Sequence, residues 1–179
     1  MANQDWVNTL APYYDADGTA LTAAALGELS PRPPKQINGY LLKKQRSWRF
    51  SAMGRITTAA TPGTWNFGLY MGTSDTIASG QAIVNTGAVT AVASMTNVTW
   101  EIQGELQVRA EGTGTNGSVF AWFRLFNVFA AGQAAMAPVS GAAAVSIDTT
   151  VANYIKLGLT PSVATGSCTC HTWNVEQLN

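Results

Sequence analysis

Thirteen residues near the middle of the chain, VTWEIQGELQVRA, alternate without a break. Val98, Trp100, Ile102, Gly104, Leu106 and Val108 occupy one parity, and Thr99, Glu101, Gln103, Glu105, Gln107 and Arg109 the other. A period of two fits a strand and no helix. Shifting the register by one residue would put every polar group into the core, so the pairing of this strand is strongly specified. One face meets an apolar interior and the other meets water.

The same period recurs on both sides. In SWRFSAMGRIT, Trp48, Phe50, Ala52, Gly54 and Ile56 face one way and Arg49, Ser51, Met53 and Arg55 the other. TWNFGLYM sets Trp65, Phe67, Leu69 and Met71 on one side. Between these two runs lies TAATPGT, whose Pro62-Gly63 is a turn signal, and the arrangement predicts a hairpin. After the central strand, EGTGTNG predicts a second hairpin, with Asn116-Gly117 suited to the turn. The returning strand SVFAWFRLFNVF is apolar on both faces: Val119, Ala121, Phe123 and Leu125 on one, Phe120, Trp122 and Phe126 on the other. Such a strand belongs under another layer or at a subunit contact. AAGQAAMAPVSGAAA follows as an Ala/Gly-rich loop, and AAVSIDT, NYIKLGLT and SCTCHTWNV read as the last strands. Short strands with regular turn signals predict an all-β fold, a jelly-roll-like β-sandwich over residues 47–179.

Residues 1–46 are different. A short helix is expected around Ala23–Leu29, broken by Pro31, Pro33 and Pro34. The whole segment reads as an extended N-terminal arm lying on the domain or on a neighbour. It carries Trp6, Tyr13 and Tyr14, aromatic anchors of the kind that dock into pockets. Arg32, Lys35, Lys43, Lys44, Arg46 and Arg49, six of the ten basic residues, fall within eighteen positions. They form either a patch for an acidic partner or a solvated face. Net charge is zero and no nucleic-acid module pattern is present, so no direct nucleic-acid contact is expected.

Chemistry-bearing motifs are sparse. Cys168, Cys170 and His171 include both cysteines and the only histidine. On a strand the two cysteines point one way and the histidine the other. A tetrahedral zinc site needs a second pair, and the sequence holds no other Cys or His. The reading is two buried thiols packed as hydrophobes, with no metal and no cofactor. A serine nucleophile lacks a base nearby, and G-x-S-x-G does not occur. Glu101 and Glu105 would stand roughly 13 Å apart along a strand, too far for either glycosidase geometry. Arg55 and Arg109 are their expected cross-strand partners. GTGTNG lacks the lysine of a phosphate loop, and the Asp15/Asp17 pair lacks the glutamate of a calcium loop. No catalytic residue is assigned and the chain is not expected to be an enzyme.

Charged residues are only 11% of the chain while hydrophobic ones reach 46%. Such a surface suits a subunit that buries much of itself against neighbours. No apolar run reaches the length of a membrane span, so no membrane contact is expected. MANQDWVNTL lacks the basic and apolar regions of a secretory signal, so synthesis in a cytoplasm is expected.

The ordered set DGTALT, LSP, WRFSAMGRITTAATPGTWNFGLYMG, NVTWEIQGELQVRAEGTGTNGSVFAWFRLF and IDTTVANYIKLGLTPSVATGSCTCHTWNVEQLN resembles a group of tailed-bacteriophage virion proteins. The resemblance spans residues 17–179, and it departs at the aromatic-rich VFAWFRLF. It implies a structural virion role. The first expectation is a decoration (cement) protein on the capsid exterior, homotrimeric, with the major capsid protein as partner. Its partner-binding residues would be Trp6, Tyr13, Tyr14, Arg32 and Lys35 of the arm, on the capsid lattice, and Phe120, Trp122 and Phe126, an apolar face through which the homotrimer would form. The alternative is a tail or fibre module binding a host-surface glycan, with Trp65 or Tyr70 stacking on sugars.

Overall fold

The computed structural model describes residues 17–31, 34–126, 139–140 and 143–178. It is all-β, with twelve strands in the described residues: β1 (Gly27–Glu28), β2 (Lys35–Ile37), β3 (Ser47–Thr57), β4 (Thr64–Gly72), β5 (Gln81–Asn85), β6 (Val89–Thr90), β7 (Val98–Ala110), β8 (Gly117–Phe126), β9 (Val139–Ser140), β10 (Val145–Ile147), β11 (Asn153–Pro161) and β12 (Ser167–Gln177). They form two antiparallel sheets. The first runs β10-β8-β7-β3-β12, with β9 also beside β8. The second runs β1-β11-β4-β5, with β2 also on β11 and β6 on β4.

The alternation read from sequence sets which side chains meet between the sheets. Trp48, Phe50, Trp100, Ile102, Leu106, Phe123 and Trp173 from the first sheet join Trp65, Phe67, Leu69, Leu157 and Leu159 from the second in one buried cluster. Phe67 and Trp100 touch across the two sheets, ring centres 5.8 Å apart. Each such side chain taken from water stabilises the fold by about 1.5–3 kcal/mol.

One expected hairpin is not a hairpin. β3 pairs with β7 and β12, while β4 pairs with β11, β5 and β6. Residues 58–63 therefore carry the chain from one sheet to the other. Pro62-Gly63 marks a reversal, but turn chemistry does not choose the partner. Both strands carry a bulky aromatic face, and from opposite sheets the two faces meet across the interior. The crossing is fastened by Trp65, whose indole N–H donates to the Pro62 carbonyl at 2.9 Å. It is also held by Thr58 N–H on the Met95 carbonyl and Ser94 N–H on the Ala59 carbonyl. β11 and β12 cross between the sheets in the same way, so β3–β4 and β12–β11 lie side by side as a folded ribbon.

The hairpin β7–β8 is present, with register Gly104↔Phe123 and Glu105↔Trp122. Its loop is longer than a two-residue turn. It is tied down by residues 148–150: Asp148 accepts from Gly114 N–H at 2.8 Å, and Thr149 Oγ1 accepts from Gly112 N–H at 2.8 Å.

The expected helix at Ala23–Leu29 is replaced by bends and β1. Seven residues are too few for a stable isolated helix, and edge pairing with Gly158 and Leu159 supplies the hydrogen bonds instead. Residues 17–46, where described, run over both sheets of their own chain. Leu21 bridges to Cys168 at the β12 edge, then β1 and β2 pair with β11. Leu29, Ile37 and Leu42 are fully buried in the common core.

The outer face of the second sheet is covered by its own chain. Gly68 and Gly158 are paired across β4 and β11 and form a flat shelf. Tyr70 lies over both glycines, and Ile77, from the 3-10 turn Ile77–Ser79, packs over Gly158. Side chains at either glycine would occupy that space.

Candidate interaction surface

The first sheet has the opposite character. Its outward residues form rows fixed by register. Phe120 stands beside Gln107 and Ser47, Trp122 beside Glu105 and Arg49, Arg124 beside Gln103 and Ser51, and Phe126 beside Glu101 and Met53. Phe120, Trp122 and Phe126 are half-buried on this face, and Met53 is exposed. Three of the eight residues expected to bind a partner are thus brought together along one strand.

Two shallow, open depressions lie here. One, of about 250 Å³, is lined by Ser47, Glu105, Gln107, Arg109, Phe120 and Trp122. The other, of about 440 Å³, adjoins it through the shared Glu105 and Trp122 and extends over Arg49, Ser51 and Gln103. The rings are dressed by cations. The Arg109 guanidinium sits 5.1 Å from the Phe120 ring centre, and the Arg124 guanidinium 5.9 Å from Trp122. Contacts of this kind contribute roughly 0.5–1 kcal/mol at exposed sites.

The charge pairing differs from that expected. Arg49, directly opposite Glu105, is its partner at 4.0 Å. Both groups are exposed, so the pair is worth at most about 1 kcal/mol. Glu101 accepts from the Gln103 amide at 2.6 Å. Arg55 donates to the Asn97 carbonyl at 2.9 Å, and Arg109 turns to Phe120. Side-chain reach, and a register shift between Val108 and Ala110, decide this rather than charge order along the sequence.

The remaining expected residues fall elsewhere. Trp6, Tyr13, Tyr14 and Arg32 lie outside the described residues. Lys35 lies in β2 and is 1% exposed, and burial lowers its amino group to about 8. In this position it is enclosed by its own chain rather than turned outward. Trp65 and Tyr70, the expected sugar-stacking rings, are also buried, one in the core and the other on the glycine shelf.

Cys168 and Cys170 are free, fully buried and inward-facing. Burial raises both thiols, Cys168 strongly and Cys170 to about 12. For Cys168 the neighbouring Cys170 adds to the rise. His171 occupies the β-bulge between Cys170 and Thr172, with Nδ1 2.6 Å from Asp17 Oδ1. Gly18 N–H donates to the Cys170 carbonyl at 2.7 Å, so this contact pins residues 17–21 to the sheet edge. Among the described residues no group of three or more His, Cys, Asp or Glu gathers to hold a metal ion. No described helix is long and apolar enough to cross a membrane.

A thiol raised in the folded state keeps its proton when the unfolded chain has lost it, so stability falls as pH rises. For Cys170 the window runs from the ordinary value of 9 to about 12. The Cys170→Ala chain should lose less stability than the parent across that window in urea titrations. A thiol reagent at neutral pH should label neither cysteine until the protein is denatured.

No family model, no curated protein and no solved structure matches this chain.

Proposed function

We propose that the protein is a non-enzymatic structural component of a tailed-phage particle, a decoration protein on the capsid exterior. The observation that carries this reading is the aromatic stripe Phe120/Trp122/Phe126 on the outer face of the first sheet, where no described segment of the chain covers it. On the opposite face the Gly68/Gly158 shelf is covered by Tyr70 and Ile77, so the asymmetry marks one side for a partner. Aromatic and arginine side chains are the types most enriched where binding energy concentrates. The order of sequence motifs supports a virion role. The folded ribbon of β3–β4 with β12–β11 supports a jelly-roll-like sandwich.

In this reading the protein is made in the host cytoplasm and assembles as a homotrimer on the major capsid protein. Trp6, Tyr13, Tyr14 and Arg32 anchor the N-terminal arm on the shell. Many weak contacts repeated over a symmetric lattice add through avidity. Quantitative mass spectrometry of purified particles tests it. Hundreds of copies per particle are expected, and replacing Phe120, Trp122 and Phe126 together with serine should strip the protein from particles while leaving its melting curve cooperative. A handful of copies would instead favour a tail or fibre module. The shallow troughs beside Trp122, lined by Gln103, Ser51 and Glu105, are the feature that suits the glycan-binding alternative.

A further inference from the structure

Four of the six arginines, Arg49, Arg55, Arg109 and Arg124, belong to the outward parity of the first sheet. Arg49 is engaged by Glu105 and Arg55 by a backbone carbonyl. The two that flank the aromatic stripe are different. Arg109 and Arg124 are exposed, each lies over an aromatic ring, and neither is within ion-pair distance of a carboxylate among the described residues. Of the two β7 carboxylates on this face, Glu105 is paired with Arg49 and Glu101 accepts from the Gln103 amide. A ring beneath a guanidinium limits its rotamers and leaves its donor edge turned to solvent. Less entropy is then lost when that edge forms a two-pronged bond to a carboxylate.

Resting on the reading of this face as the docking surface, we propose that it takes a carboxylate-rich protein segment, with Arg109 and Arg124 as the paired carboxylate receptors and Phe120 and Trp122 as the apolar floor. Charge complementarity selects this occupant. A second copy docked face to face about a two-fold axis would bring the same two unmatched arginines against themselves, and like charges across an interface oppose docking. Neutral surfaces would leave two guanidinium groups desolvated without a partner.

The test uses the full chain and a fluorescein-labelled decaglutamate peptide, read by anisotropy at low salt. Decalysine and polygalacturonate serve as the other arms. The parent should bind decaglutamate, weaken as salt is added, and ignore decalysine. Arg109→Gln with Arg124→Gln should lose about tenfold or more in affinity, and the double lysine variant should lie between. Both arginines are exposed and lose only their ring contacts, so the melting curve should stay cooperative and move by no more than a few degrees. Binding that is missing in the parent, or equal in the glutamine variant, overturns the proposal. Polygalacturonate binding tighter than decaglutamate reassigns the site to acidic polysaccharide and overturns it too. Particle retention separates the two levels. If the serine variant at Phe120, Trp122 and Phe126 is lost while the glutamine variant is kept, the docking face stands and the acidic partner falls. If both variants are kept on particles, the docking face itself falls.

Discussion

Gly104→Val is expected to keep the chain from reaching its folded state at ordinary temperatures. Gly104 is the middle of a row in which Phe50 on β3 and Phe123 on β8 are its direct neighbours. The two phenylalanine rings meet edge to face over it, centres 6.5 Å apart and planes at 65°. A β-carbon there would stand 2.5 Å from the tip of the Phe50 ring and closer still to the Trp122 carbonyl oxygen. A ring can rotate away at modest cost, but the backbone oxygen is fixed in the β7–β8 ladder. Overpacking of a tight core commonly costs 1–3 kcal/mol, and a branched residue against backbone belongs above that range. We expect more than about 4 kcal/mol, a large part of the total stability of a domain this size. Soluble yield and urea midpoints measure it, with Ser51→Ala on the outer face as control. Phe50→Ala combined with Gly104→Val should cost less than the two effects added, because the ring is one of the obstacles, beside the Trp122 carbonyl and the Phe123 β-carbon. A Gly104→Val protein that melts within about 1 kcal/mol of the parent would show that the Phe50–Gly104–Phe123 row is not packed as described.

Gly104 also shows what the sequence could and could not tell. Its place on the inward parity of β7 is visible in the alternation. So are the buried sets of β3 and β8, because a period of two is a local property of the chain. Which strands pair is not local. The run from Trp48 to Met71 contains a turn signal that is satisfied equally by a hairpin or by a crossing between sheets. Only the competition among β7, β12 and β11 for neighbours decides. The partner surface divides in the same way. Phe120, Trp122 and Phe126 were legible as a second apolar face on one strand, and Arg124 shares their parity. The stacking of Arg109 on Phe120 was not legible, because it depends on a register shift at Val108/Ala110 that the residues themselves do not announce. Lys35 misleads for a related reason. Charge composition suggests solvent, yet its pairing with Ile155 in β11 draws it under the chain.

Lys156 is the second position where a large effect is expected. It is fully buried on β11, and its ammonium group donates to the carbonyls of Ser74 at 2.6 Å and Thr76 at 2.9 Å. The lysine closes the loop that carries Ile77 onto the Gly68/Gly158 shelf. Lys156→Ala removes the donor and the aliphatic stem together, leaving unpaired acceptors and a hole, and should destabilise by about 3 kcal/mol or more. Lys156→Met keeps most of the volume, so it separates the two contributions and should cost less. Hydrogen exchange locates the loss: amides of residues 73–80 should lose protection in the alanine variant well before those of β3 or β7. A global loss with no local opening would mean that the loop is held by its own apolar contacts, and that the ammonium group is tolerated there rather than required. Local opening would have a consequence for the face it covers. Tyr70, Gly68 and Gly158 would be uncovered, giving the second sheet an exposed apolar surface like that of the first. The variant should then associate further than the parent does, because the covering loop is what leaves the molecule with one adhesive side instead of two.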